Sequence, residues 1–109
     1  MINVNVFRKN KEIHAFEISG HAESGPYGYD LVCAGVSAVS FGAVNAVIKL
    51  CQIELTIDQA GEGGYLYVEI PSPLPDEKKI RTQLIFEAML VSLQTIERDY
   101  NKFIKINES

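Results

Sequence analysis

A chain of 109 residues, 47% hydrophobic and 22% charged, suits one compact domain over residues 1–109 and excludes a disordered or fibrous protein. Its net charge of −4 speaks against direct nucleic-acid binding, which calls for a clustered basic face, and fits a basic protein partner better. No early segment joins basic residues, an apolar run and a cleavage site, so a cytoplasmic protein is expected.

Ile2, Val4 and Val6 alternate with Asn3 and Asn5, the period of a half-buried strand over residues 2–7. Arg8 to Lys11 is a polar turn, with Asn10 suited to a left-handed backbone. Strand composition resumes over residues 13–19. Ile13, Ala15 and Glu17 are expected on one face, and Phe16 and Ile18 on the other, which predicts a first hairpin ending just before His21. Gly20, Gly25, Pro26 and Gly28 make residues 20–30 a loop. Asp30 is a good N-cap for a helix running from Leu31 to about Gln52. That helix is apolar almost all round and is therefore expected at the centre of the fold. Gly35, Ala38, Gly42 and Ala46 form a stripe of small residues along it, open to close approach by a neighbouring element or a second subunit.

The uncharged run from Leu31 to Ile48 has 18 residues, at the lower limit for a membrane span. Ser37, Ser40, Asn45 and two glycines interrupt it, and no aromatic or basic flanks anchor it, so no membrane partner is expected. Ile53, Leu55 and Ile57 then alternate with Glu54, Thr56 and Asp58. After the turn Gln59 to Gly64, Tyr65, Tyr67 and Glu69 alternate with Leu66, Val68 and Ile70, completing a second hairpin. Pro71, Pro73 and Pro75 end it. A second helix is predicted over residues 76 to about 101, with Asp76 and Glu77 in its first turn. Its apolar face is expected to run through Ile80, Leu84, Ala88 and Val91, flanked by Met89, Leu93, Ile96 and Tyr100. A short terminal strand is expected near residues 103–106. The resulting class is α+β, two hairpins and two long helices in the order ββαββα, with helices covering one face of the sheet.

The stretch from Gly20 to Val47 holds the residues with chemical potential. With Asp30 as cap, Cys33 falls at the third helical position, where unpaired N–H groups and the helix dipole favour an anion. A neighbouring imidazole lowers a thiol pKa further, and His21 lies across the loop from it. One reading is a Cys33–His21 pair for nucleophilic catalysis. The other is a core cysteine, the usual fate of a lone Cys in an apolar helix, with a solvated strand-end histidine. Ser37 follows one turn after Cys33 on the same face, placed to meet a substrate, orient His21 or bond the carbonyl four residues back. Asp30 has a sufficient job as cap. Gly25, Pro26 and Gly28 form either a simple turn or a mobile cover.

Cys51 reads as core and His14 as an exposed strand residue. The two cysteines, 18 positions apart on one helix, would be separated by roughly 27 Å, too far for a disulfide. The lack of a CxxC or Cys/His cluster argues against zinc.

The pattern Gly20-His21-Ala22, a loop with Gly28 two residues before Asp30, then Leu31-Val32-Cys33-Ala34 and Ser37, resembles the bacterial ribosomal-processing cysteine proteases, the Prp family. Leu90 to Glu97 also resembles the family's last helix, and the order of elements matches. The resemblance implies an endopeptidase that removes the N-terminal extension of a large-subunit ribosomal protein, number twenty-seven. It makes Cys33 the nucleophile and His21 the general base. Asp30, Ser37, Gly20 and Gly28 support the site or the substrate, and the loop 22–29 covers the cleft. It further implies a homodimer, an apolar groove for a bulky stretch before the cut, and chemistry without a metal or organic cofactor. A non-catalytic ribosome-associated binding module, with structural His and Cys, is the competing reading.

Overall fold

The computed structural model describes residues 1–21, 30–59 and 64–109. Among them, five strands form one sheet in the order β3-β4-β2-β1-β5, with β1 at Ile2–Lys9, β2 at Glu12–Ser19, β3 at Thr56–Gln59, β4 at Tyr65–Glu69 and β5 at Ile104–Glu108. Helices α1 (Leu31–Ala46) and α2 (Asp76–Asp99) pack on the side of the sheet that carries Ile2, Val4, Val6, Phe16, Leu66 and Val68, all buried. The opposite side carries Asn3, Asn5, Glu17, Tyr65, Tyr67 and Glu69, all half-buried. This is the α+β class with helices on one face.

The first hairpin turns at Asn10 and Lys11, both at positive φ (54° and 70°), the two-residue turn whose twist suits antiparallel strands. Its alternation breaks once. Phe7 pairs with Ala15 but Arg8 pairs with Ile13, so His14 is an extra residue in β2. Such a bulge flips the residues beyond it, and Ile13 joins Phe16 and Ile18 in the core cluster instead of sharing a face with Ala15. The side chain of Gln83, from α2, then brackets Ile13, accepting from its N–H at 2.9 Å and donating to its carbonyl at 2.7 Å.

Helix α1 starts at Leu31 and continues as a π-helical turn over Val47–Cys51 before Gln52, at φ 54°, ends it. It is not central, as its composition suggested. Val32, Val36, Val44, Val47 and Cys51 are buried, but Leu31 and Leu50 are each 65% exposed. One sheet and one neighbouring helix offer cover for only part of its circumference. The small-residue stripe is used at Gly35, where an added Cβ would stand 3.7 Å from Ile96 Cδ1 on α2; Gly42 faces open space. By length and composition the stretch Leu31–Cys51 would reach across a membrane, yet here it lies along the sheet. Cys33 is half-buried and Cys51 buried, and no disulfide joins them.

The second hairpin is shorter than predicted. Ile53 and Leu55 are buried but precede the strand, and β3 is an exposed edge in which Ile57, paired with Val68, lies outside the helices' footprint.

Helix α2 rotates differently from its predicted apolar face. It buries Thr82, Phe86, Met89, Leu90 and Leu93, whereas Ile80, Leu84 and Val91 are more than 60% exposed. The aromatic pair decides this, because Phe86 meets Phe16 edge-on with ring centroids 5.2 Å apart. Arg8 pins the helix to the sheet, donating to Glu87 at 2.7 and 2.9 Å and to Glu108 at 3.0 Å. The terminal strand exists, and it pairs parallel to β1.

Candidate active site

Asp30, in extended conformation, caps α1 as expected. Its Oδ1 accepts from the Cys33 N–H at 3.1 Å, and its carbonyl accepts from Ala34 N–H at 3.0 Å. The cap closes the first turn and places Cys33, half-buried, at the third helical position. The Asp30 side chain thereby engages the Cys33 N–H, one of the donors expected to remain open at the helix start, while the Ala34 bond is the first of the helix itself. Ser40, buried one turn beyond Val36, donates its hydroxyl to the Val36 carbonyl at 2.7 Å. It is a helix serine satisfied by its own backbone.

His21 is reached from the other side, off the end of β2. Gly20 sits at φ +92°, and a side chain there would run into the Met1 carbonyl, so only glycine makes this exit. The Gly20 N–H donates to the Gly64 carbonyl at 2.8 Å, and the Met1 nitrogen donates to the His21 carbonyl at 2.7 Å. The histidine backbone is therefore tied to both β1 and the start of β4.

One cleft of about 240 Å³ is lined by His21, Cys33 and Ser37 together with Gly20, Gln59, Gly64 and Tyr65. Its apolar wall comes from Ile2, Ile18, Val36, Phe41 and Leu66. The imidazole, the thiol and the serine singled out in the sequence thus share a single cavity, while Asp30 stands behind it as cap. Gly28 and the whole loop 22–29 lie outside the described residues. Cys51 and His14 take no part; the first is core and the second is the exposed bulge residue.

Sequence reasoning missed Phe41, Ser40 and Gly64. Phe41 was legible, because it falls one turn after Ser37 and two after Cys33 on the same helical face. Gly64 was not, since its contact with His21 joins residues 43 positions apart.

The tyrosines of β4 are bonded on the polar face of the sheet. Tyr65 donates to Glu17 at 2.9 Å and Tyr67 to Glu69 at 2.7 Å. These bonds to carboxylates are the main reason both phenols are held above the ordinary tyrosine range.

A thiol on the first turn of a capped helix, sharing an apolar-walled cleft with an imidazole, is an arrangement that thiol hydrolases use. The chain belongs to the Cysteine protease Prp family, whose model matches residues 1–105, and it is a cysteine protease. It is 49% identical over 107 residues to the ribosomal processing cysteine protease Prp of Bacillus subtilis, covering 97% of this chain and 96% of that one. Two crystal structures of Prp from Staphylococcus aureus, described as an essential ribosomal processing protease, resemble it over the full length of both chains. The one with a covalently linked product peptide gives a TM-score of 0.91 at 41% identity. The one with a substrate peptide gives 0.83 at 39%.

Proposed function

We propose that this chain is a ribosomal processing endopeptidase that removes the N-terminal extension of large-subunit ribosomal protein number twenty-seven through a Cys33–His21 dyad. The observation that carries this reading is the single cleft lined by both side chains; the ribosomal processing role of its relatives supports the substrate class. The apolar wall formed by Ile18, Val36, Phe41 and Leu66 suits a bulky apolar stretch of the precursor.

In this mechanism His21 takes the Cys33 thiol proton, and the thiolate attacks the scissile carbonyl carbon. The C–N bond breaks as His21 returns the proton to the leaving amine, leaving a thioester on Cys33. Water, deprotonated by His21, attacks the thioester, and the C–S bond breaks to release the carboxylate. The oxyanion is stabilised by N–H groups around the start of α1. Ser37 contacts the substrate from the next turn.

The enzyme works as a homodimer in the cytoplasm. The exposed row Ile80, Leu84 and Val91 supports the first, and two thiols suit a reducing compartment. The competing binding-module reading gives way to membership in a protease family.

The test is cleavage of the purified ribosomal-protein precursor, followed by mass spectrometry of the products. Cys33→Ala is expected to abolish cleavage, and His21→Ala to slow it by about 10²- to 10⁴-fold, with both variants melting like the parent. A His21→Ala variant cleaving at the parental rate would refute the dyad. Cutting of the precursor anywhere but at its N-terminal extension would refute the substrate.

A further inference from the structure

Among the described residues no side chain hydrogen-bonds the His21 ring, so the usual third member that orients a catalytic imidazole is missing from this set. What stands against the ring instead is main chain. Gly64 begins the β4 side of the second hairpin at φ +75°, and a Cβ placed on it would lie 2.7 Å from His21 Nε2, 3.2 Å from Cε1 and 3.3 Å from Cδ2. The Nε2 end of the imidazole therefore occupies the space that a side chain at position 64 would fill. The same residue's carbonyl accepts from the Gly20 N–H at 2.8 Å, which ties the support to the residue just before His21.

We propose that Gly64 is a positioning residue for the general base, its lack of a side chain setting where the His21 ring sits. The inference rests on His21 acting as the base in the dyad reading. Carbon contacts relax to about 3.4 Å, so a methyl group at position 64 moves the Nε2 edge by about 0.7 Å, the difference between 3.4 and 2.7 Å. His21 is exposed, so the displacement is cheap in stability. It is expensive in catalysis, because a misplacement of about 1 Å in a reacting group lowers rates by about 100-fold. The positive φ offers a rival reason for glycine here, one concerned with folding alone. Asparagine separates the two, since it tolerates the left-handed region yet carries a Cβ.

The experiment compares the parent with Gly64→Ala, Gly64→Asn, His21→Ala and the double variant His21→Ala/Gly64→Asn. Alkylation of Cys33 by iodoacetamide is followed against pH by peptide mapping, and kcat and KM are measured on the precursor. Gly64→Ala and Gly64→Asn are both expected to lower kcat by about 100-fold with KM within about twofold of the parent. Their Cys33 profile moves onto that of His21→Ala, and the Gly64 change adds nothing when His21 is already absent. A Gly64→Asn enzyme with parental kcat beside an impaired His21→Ala overturns the seat and leaves the dyad standing. So do losses that multiply in the double variant, which would mark a general disturbance of the hairpin. A His21→Ala enzyme with parental cleavage and alkylation profile overturns the dyad, and the seat with it.

Discussion

Valine in place of Thr82 is expected to stabilise the protein. Thr82 is 1% exposed on the buried face of α2, one turn before Phe86, and its Oγ1 has no hydrogen-bond partner among the described residues. A buried hydroxyl left unpaired costs about 1–3 kcal/mol, and the methyl that replaces it in valine is of similar size and is buried favourably. Threonine and valine have nearly equal helix propensity, so the backbone contributes little. A gain of about 1 kcal/mol follows, which in a domain of this size raises Tm by about 5 °C. The assay is thermal and urea unfolding of the parent, Thr82→Val and Thr82→Ser. Serine keeps the hydroxyl and deletes a buried methyl, so the expected order of stability is Val, Thr, Ser. A valine variant less stable than the parent would refute the reasoning, since it would mean the hydroxyl is satisfied in solution.

The Arg8–Glu87 pair predicts a pH signature. Arg8 holds the Glu87 carboxyl below its ordinary value of 4.5, so the stabilisation is present above that value and is lost as pH falls through the lower folded-state value. Glu87→Gln should cost about 1 kcal/mol at pH 7, a figure kept low because the Glu87 side chain is 41% exposed, and the difference from the parent should close in acid; denaturant melts at a series of pH values check it, and a gap independent of pH would contradict the pairing. On the outer face of α2, Leu84 is 70% exposed. If that face is the dimer contact, Leu84→Glu yields a monomer by sedimentation equilibrium at concentrations where the parent dimerises, with the monomer's melting unimpaired; an unchanged dimer would place the contact elsewhere.

Features set by residues close in sequence are legible in it, because their signals are local. The alternation of β1 and β4, the cap at Asp30, the left-handed Asn10 and the acidic first turn of α2 are each decided within a few positions. The errors arose where a long-range partner chose between equally good local patterns. α2 has two apolar rows, and Phe16 on a distant strand selects the one with Phe86. A single bulge residue, His14, turns Ile13 towards the core, and alternation has no means of announcing it. The composition of α1 predicts a central helix, but how much of a helix is covered depends on how many elements lie beside it.

The sequence by itself therefore determined the α+β class, the elements and the paired candidates His21 and Cys33, since spacing, capping and glycine punctuation are local chemistry and the motif around them is distinctive. Only the tertiary structure decided that a thiol on a helix and an imidazole off a strand share one cleft, walled by Ile18, Phe41 and Leu66. It alone set the histidine ring against Gly64. Contacts between residues far apart in the chain depend on how the sheet and helices pack, and that packing is settled by the whole core at once.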